Sequence, residues 1–289
     1  MTEFPRTTVG GVSVSRMLIG TNWFLGYSHT SAAKDKLIRE QMTSKRIAEI
    51  LTVYLENGVD TIMGMPEQIL RDAISEAQDR TGRAVTLILT PTFNGKPGGP
   101  PENEPERVFD RSKELGATFC MPHTSITDCL LDKLNRTIRD LDKYTQMIRE
   151  RDMIPGLSTH MPETVIFADE MNADVETYIQ IYNAAGFLMH VEVDWVTRLI
   201  HGAKKPVMTI KPMAAGRLLP LVGLAFVWST LRDRDMVTVG TMTPDEAREV
   251  IEISLGVLEQ REAKVELQKT RSKASLEKKP KSAPAKAGV

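Results

Sequence analysis

"IPGLSTHMPETVIFADEMNA", residues 154–173, decides the fold. Its first six residues read as a strand, and "PETVIFADEMNA" reads as a helix. Ser158, Thr159 and His160 stand at the exit of that strand. The same alternation runs along most of the chain. Upstream, "VSVSRMLIGTN", "VDTIMG", "AVTLILTPT" and "ATFCMP" are predicted strands, and downstream so are "TYIQIY", "PVMTIK" and "DMVTVG". Helices fill the intervals. "TSKRIAEILTVYLENG" is amphipathic, with Thr43 or Ser44 as N-cap and Gly58 just past its end. "PEQILRDAISEAQDRTG" opens with Pro66 and closes on a glycine. "PERVFDRSKELG" follows, and "DCLLDKLNRTIRDLDKYTQMIRERD" is predicted as one long helix. "VEVDWVTRLIHGA" fits a helix better than a strand, and "LPLVGLAFVWSTLR" is helical. "TPDEAREVIEISLGVLEQREAKVELQ" is a capped helix with acids in its first turn, as the macrodipole favours.

Eight strand–helix units in roughly 255 residues predict an α/β fold of the (β/α)8 TIM-barrel type, spanning residues 1–265. A doubly wound sheet is the alternative, weakened by the lack of a GxGxxG at the first strand–helix turn. The chain has no P-loop, HExxH, GxSxG or paired CxxC. Residues 266–289 are rich in Lys, Ser, Ala and Pro and predict a basic, disordered tail.

The 289 residues carry a formal net charge of -1, which gives no electrostatic case for nucleic acid or membrane as a partner. Two cysteines, Cys120 and Cys129, are too few for a disulfide framework and point to a reducing, cytoplasmic setting. "MTEFPRTTVGG" is too polar for a signal peptide, and no apolar run reaches the roughly 20 residues that cross a bilayer. A small-molecule substrate is the expected partner, with room for a homo-oligomer.

In a barrel of this type the site is built at the C-terminal ends of the strands. Those ends hold Asn22 and Trp23 with His29 beyond, then Met63 and Met65, then Thr90, Thr92 and Asn94, then His123. After them come Ser158, Thr159 and His160, then Tyr182 and Asn183, then Lys211 ahead of "PMAAGRL", and last Gly240 and Thr241. No strand ends in Asp or Glu, so paired-carboxylate chemistry is poorly supported. His123, His160 and Lys211 are the catalytic candidates. Asn22, Trp23, Thr92, Tyr182 and Asn183 are the substrate-binding candidates. His29, His123 and His160 form a weak candidate set for a divalent metal with an open position. His190 and His201 are assigned to surface or packing roles. Pro122 biases the chain to leave its strand extended, and Ser125 or Thr127 is the expected cap of the next helix, leaving the His123 imidazole free.

In the order of these segments the chain resembles the aldo-keto reductase superfamily. "TTVGGVSVSRMLIGTNW" is similar to that family's N-terminal hairpin and first strand, "ENGVDTIMG" to its second strand, "ATFCMPH" to its fourth and "IPGLSTHMPETV" to its fifth. "IQIYN" looks like the sixth, "VMTIKPMAAGRL" the seventh, and "VTVGTMTPDEAREVIE" the eighth strand with the last helix. The resemblance implies an Asp–Tyr–Lys–His site, and this chain departs from it. Met63 stands at the Asp position, "GMPEQ" offers no tyrosine, and Thr90 and Pro91 stand where the Lys would be. His123 alone matches. The resemblance also implies cofactor contacts through Gly216, Arg217, Gly240 and Thr241. Met242 and Val250 replace the family's usual basic residue and Asn, and Glu246 would repel a 2′-phosphate, so NADP is disfavoured and NAD or no nicotinamide remains.

Three readings of function follow. The first is a divergent barrel enzyme acting on a small polar substrate, sugar-like or phosphorylated, without the usual redox site. The second is an NAD(P)-dependent oxidoreductase with a rearranged proton donor, Tyr27 being the other rim hydroxyl besides Tyr182. The third is a binding protein on a degenerate barrel.

Overall fold

The computed structural model describes residues 3–93, 104–270, 272, 273 and 276. Asn94, and most of the expected tail over residues 266–289, lie outside the described residues.

The chain opens with an antiparallel hairpin, β1 (Arg6–Val9) and β2 (Val12–Ser15). Four parallel barrel strands follow: β3 (Met17–Gly20), β4 (Thr61–Gly64), β5 (Thr86–Leu89) and β6 (Phe119–Cys120). A second small hairpin, β7 (Leu131–Asp132) and β8 (Thr137–Ile138), interrupts the series. The barrel resumes with β9 (Ile154–Pro155) and β10 (Leu157–Ser158), then β11 (Tyr178–Ile181), β12 (Val207–Ile210) and β13 (Met236–Val239). β13 returns to β3 in parallel register, Val237 opposite Met17. β6 pairs with β9, and β10 pairs with β11. β9 and β10 are therefore two halves of one strand, broken at Gly156, and the barrel closes with eight.

Gly156 is the residue this break requires. A Cβ there would lie 2.6 Å from Met121 Cε and 3.0 Å from the Thr177 carbonyl oxygen. The methionine tail can swing aside, but the carbonyl belongs to the neighbouring backbone. Gly156→Val is expected to lose about 1–3 kcal/mol through overpacking, read as a lower urea midpoint at unchanged slope.

Side chains alternate along each strand. One set fills the barrel: Leu18, Met63, Ile88, Phe119, Met121, Ile179, Met208 and Met236, all buried. Val9 and Val14 of the first hairpin join this cluster and seal the N-terminal end. The alternate set, with Ile19, Ile62, Leu87, Leu89, Cys120, Tyr178 and Val237 among it, faces the helices. Both faces are covered, which is why these strands read as near-continuous apolar runs.

The helices are α1 (Asn22–Leu25), α2 (Ala32–Gln41), α3 (Ser44–Glu56), α4 (Gln68–Thr81), α5 (Pro105–Glu114) and α6 (Thr124–Leu130). They continue with α7 (Leu141–Arg149), α8 (Pro162–Glu170), α9 (Val193–Gly202), α10 (Pro220–Thr230) and α11 (Pro244–Leu258). Among the described residues no helix is long and apolar enough to cross a membrane. Thr43 caps α3 by accepting from the Arg46 N–H, and Gly58 follows its end at φ 76°. α4 begins at Gln68, two residues after Pro66.

Two helix expectations are corrected, and one further helix is present. The single long helix over residues 128–152 is instead the end of α6, a hairpin and α7. The Asp132 carboxylate accepts from the Leu134 and Asn135 N–H groups and from Asn135 Nδ2, an Asx-type turn that competes with the helix. α11 stops at Leu258, where Arg261 folds back onto Glu252 and Glu259 and Lys264 N donates to Glu252. α2 was not anticipated, because Ile38 is its one buried residue and a single apolar contact leaves no periodic stripe to read.

Candidate active site at the barrel mouth

β3 ends at Gly20, and the chain turns through α1 across the mouth. Trp23 lies against Gly240, where a Cβ would come within 2.7 Å of its ring. On the other side the Lys34 ammonium sits 5.7 Å from the indole centroid. The following loop is tied down by Asp35, which accepts from the Ser28 N–H and hydroxyl. This fixes His29 at the rim, in left-handed conformation at φ 54°.

His29 Nε2 meets Lys211 Nζ at 3.1 Å and Asn22 Nδ2 at 3.1 Å. An ammonium can only donate, so Nε2 is the acceptor and the imidazole is neutral with its proton on Nδ1. Its pKa is lowered by burial first, then by Lys211, against an upward pull from Asp35. Lys211 directly follows β12 at φ 61°. Burial alone brings its ammonium from 10.5 down to about 8.

His123 leaves β6 and caps α6. Its Nδ1 accepts from the Ser125 N–H at 3.2 Å and lies 3.0 Å from the Ser125 hydroxyl, which is 3.2 Å from Thr92 Oγ1. The expected cap was Ser125 or Thr127. The structure gives that role to His123, because its own ring nitrogen reaches the orphan amide first. One nitrogen is thereby committed, and Nε2 carries the proton. Burial and then Lys211 lower the His123 pKa, while Asp128 raises it. His160 is pushed down to about 3 by burial, then by Lys211, His123, His190 and His29. Its N–H donates to Asp128 Oδ2 at 3.1 Å.

These shared influences place His29, His123, His160 and Lys211 in one electrostatic neighbourhood. Arg217 joins them at the edge. Its guanidinium lies 4.0 Å from the Phe187 ring centroid and donates to the Ala214 carbonyl at 3.1 Å and, at 3.5 Å, to that of His29. The two nearby acids are already supplied with donors. Asp35 takes Ser28, and Asp128 takes the hydroxyls of Thr124 and Thr159 besides the His160 amide. The mouth is basic and partly desolvated.

Several expected site residues are placed elsewhere. Tyr182 is fully buried and its hydroxyl bonds Thr197 and Thr230, between the barrel and α9 and α10. The cause is alternation: Ile179 faces the barrel interior, so Tyr182 faces the helices. Asn183 holds its loop, accepting from the Phe187 N–H at 2.8 Å and donating to the Phe187 carbonyl at 3.1 Å. Thr241 pairs with the Tyr54 hydroxyl at 3.2 Å in the helix layer. Gly240 makes room for Trp23, and Gly216 turns the chain at φ 86°. Among the described residues no group of three or more His, Cys, Asp or Glu side chains is arranged to hold a metal, so the His29, His123 and His160 set is not a metal cluster. Met63 is buried in the barrel, its sulfur 3.8 Å from Thr238 Oγ1, and the Thr90 hydroxyl bonds the Gly64 carbonyl.

Sequence reading missed Asp128, whose signal is the His-x4-Asp spacing that sets it one turn into the helix capped by His123. It also missed His190, which was assigned to the surface yet is close enough to lower His160.

His123→Ala is expected to remove the α6 cap at about 0.5–2 kcal/mol, together with the Nε2–H at the mouth. His123→Asn can restore the cap through its side-chain oxygen without restoring Nε2. Melting temperature should recover in the Asn variant while ligand binding does not. Binding intact in both variants would reduce His123 to a structural cap.

No protein-family model matches the chain, and no curated protein matches it in sequence. In three dimensions it is similar to an aldo-keto reductase from Brucella melitensis, with TM-score 0.57, 13% identity, and coverage of 89% of this chain and 93% of that one. It is also similar to MGS-M4, an aldo-keto reductase enzyme from a Medee basin deep-sea metagenome library, with TM-score 0.54, 11% identity, and coverage of 91% and 97%. An aldo-keto reductase from Klebsiella pneumoniae, in complex with NADPH, matches with TM-score 0.53, 13% identity, and coverage of 96% and 94%. The hairpin-closed (β/α)8 barrel is the fold that these aldo-keto reductases share with it.

Proposed function

We propose that this chain is a divergent enzyme on the aldo-keto reductase fold, acting at the barrel mouth on a small, polar, anionic substrate, sugar-like or phosphorylated. The observation that carries the reading is Lys211, half-buried beside a neutral His29 and held at about 8. A catalytic acid or base works best with a pKa near the working pH. His160, at about 3, is too weak a base for that role and serves as a positioning group. His123 offers its Nε2–H as a hydrogen-bond donor. Lys211 is the group poised to move a proton near neutrality, and with Arg217 it supplies the charge that holds an anion.

The nicotinamide reading has the fold in its favour, since the similar Klebsiella pneumoniae protein is in complex with NADPH. The residues at the start of α11 speak against a dinucleotide 2′-phosphate. Glu246 Oε2 accepts from the Met242 N–H at 2.6 Å, and Thr243 Oγ1 accepts from the Glu246 N–H, so a carboxylate already closes that helix end. Thr241 is turned into the helix layer. These residues do not fit an NADP 2′-phosphate.

The test is the melting temperature of the purified protein with sugar phosphates, keto acids, NADH, NADPH and divalent metals. Sugar phosphates or keto acids are expected to stabilise it, more strongly at pH 7 than above pH 8, where Lys211 loses its charge. Stabilisation by the nicotinamides alone, at micromolar concentration, would overturn the reading in favour of an oxidoreductase.

A further inference from the structure

Resting on the reading above, we infer that Lys211 forms a protonated imine with an aldehyde or ketone that also carries a carboxylate or phosphate, its amine oriented by His29. β12 ends at Ile210, and the left-handed backbone at Lys211 turns the chain out of the strand. The ammonium lies 3.1 Å from His29 Nε2, whose lone pair accepts one N–H and so orients the nitrogen. No neighbouring carboxylate contributes to its titration, so its low pKa comes from lost solvent and no ion pair has to be broken to free the amine. A desolvated lysine of this kind is the usual source of a nucleophilic amine. The titratable groups around it are His29, in contact, and His123 and His160, whose titration it lowers, with Arg217 beyond, on His29. The acids nearest that group, Asp35 and Asp128, are held by Ser28 and by Thr124, Thr159 and the His160 amide.

The step balances without an oxidant or reductant. Near pH 8 part of Lys211 stands as the free amine, its proton released to solvent, with His29 Nε2 accepting from a remaining N–H. The freed nitrogen attacks the carbonyl carbon, a C–N bond forms and the carbonyl electrons move to oxygen. One N–H proton and one proton from solvent then pass to that oxygen, which leaves as water. One proton remains on the C=N nitrogen. The positive charge ends on the iminium, where it draws electrons from the adjacent carbon. The anionic group of the substrate would be seated by Arg217, whose stacking on Phe187 fixes its plane at the edge of the mouth.

The full chain is incubated with pyruvate in one arm and dihydroxyacetone phosphate in another, reduced with sodium borohydride, and mapped by peptide mass spectrometry. One reduced adduct per chain is expected, on Lys211, in at least one arm; the productive arm tells carboxylate from phosphate. Lys211→Arg keeps the charge, cannot form the imine and should give no adduct. His29→Gln should slow trapping at least tenfold. Adducts scattered over surface lysines and unchanged in Lys211→Arg would overturn the proposal. The melting temperature with the same ligands, without borohydride, separates the two levels. Stabilisation with no Lys211 adduct sinks the imine and leaves the anionic-substrate reading standing. Neither stabilisation nor adduct sinks both.

Discussion

Lys211→Met is expected to give a protein that is more stable than the parent and inactive. The ammonium titrates at about 8 when folded and near 10.5 in the unfolded chain. Below pH 8 both states are charged, and the folded state carries the full desolvation penalty, on the order of 3 kcal/mol. Between pH 8 and 10.5 the unfolded chain binds the extra proton, so stability rises with pH and the penalty fades. A methionine of similar length removes the charge and keeps the stem packed. At pH 7 the variant should melt several degrees higher, at about 2–4 °C per kcal/mol for a large domain, less what the lost bond to His29 contributed. The advantage should shrink as pH is raised from 8 toward 10.5. Turnover of the ligand that stabilises the parent should fall by about 10²–10⁴-fold, the usual worth of a positioned acid or base. Scanning calorimetry at pH 7 and pH 10 checks the first part. A variant that melts lower at pH 7 would show that Lys211 holds the loop together and is not strained for use.

Most of the barrel was legible because its strands are covered on both faces and its helices carry one apolar stripe. All eight strand segments were readable from local pattern, down to the fifth, although Gly156 splits that one in two. What failed was local competition. The Asp132–Asn135 turn outcompetes the helix that the apolar spacing of residues 128–152 suggests, and spacing alone carries no record of a side chain capturing its own backbone. At the barrel mouth, the strand-end residues Asn22, His29, His123, His160 and Lys211 share electrostatics or hydrogen bonds, a neighbourhood that strand order alone suggests. Inward and outward positions were harder. Tyr182 and Thr241 sit at strand ends too, and register alone sends their hydroxyls into the helix layer. The ring tautomers of His29 and His123 follow from partners 182 and 2 residues away, and only the nearer of those could have been read from the chain.

Asp235→Ala is expected to produce the largest loss of stability, about 3–5 kcal/mol. This carboxylate is fully buried just before β13, at the opposite end of the barrel from His123 and Lys211. It takes Arg232 in a bidentate pair, Nε and Nη2 each at 2.7 Å, and also accepts from the Val207 and Arg232 N–H groups. Arg232 in turn donates to the Ala203 and Lys205 carbonyls, which ties the end of α9 to the starts of β12 and β13. Arg16 closes the cluster, donating to the Asp235 and Arg232 carbonyls and stacking on Trp228 at 5.4 Å. Deleting the carboxylate leaves a guanidinium with little water and the Val207 amide without its acceptor, and both penalties fall on the folded state. Asp235→Asn, which keeps an acceptor but not the charge, should lose less. The double variant Arg232→Met with Asp235→Leu should recover part of the loss, because well-packed apolar groups can replace a buried pair. Ligand binding at the mouth should survive in every one of these variants that remains folded, since this end of a barrel holds the fold together while the other end carries the chemistry. Urea unfolding measures the losses. A change below about 1 kcal/mol, the range of exposed pairs, would show that solvent reaches the Arg232–Asp235 pair after all.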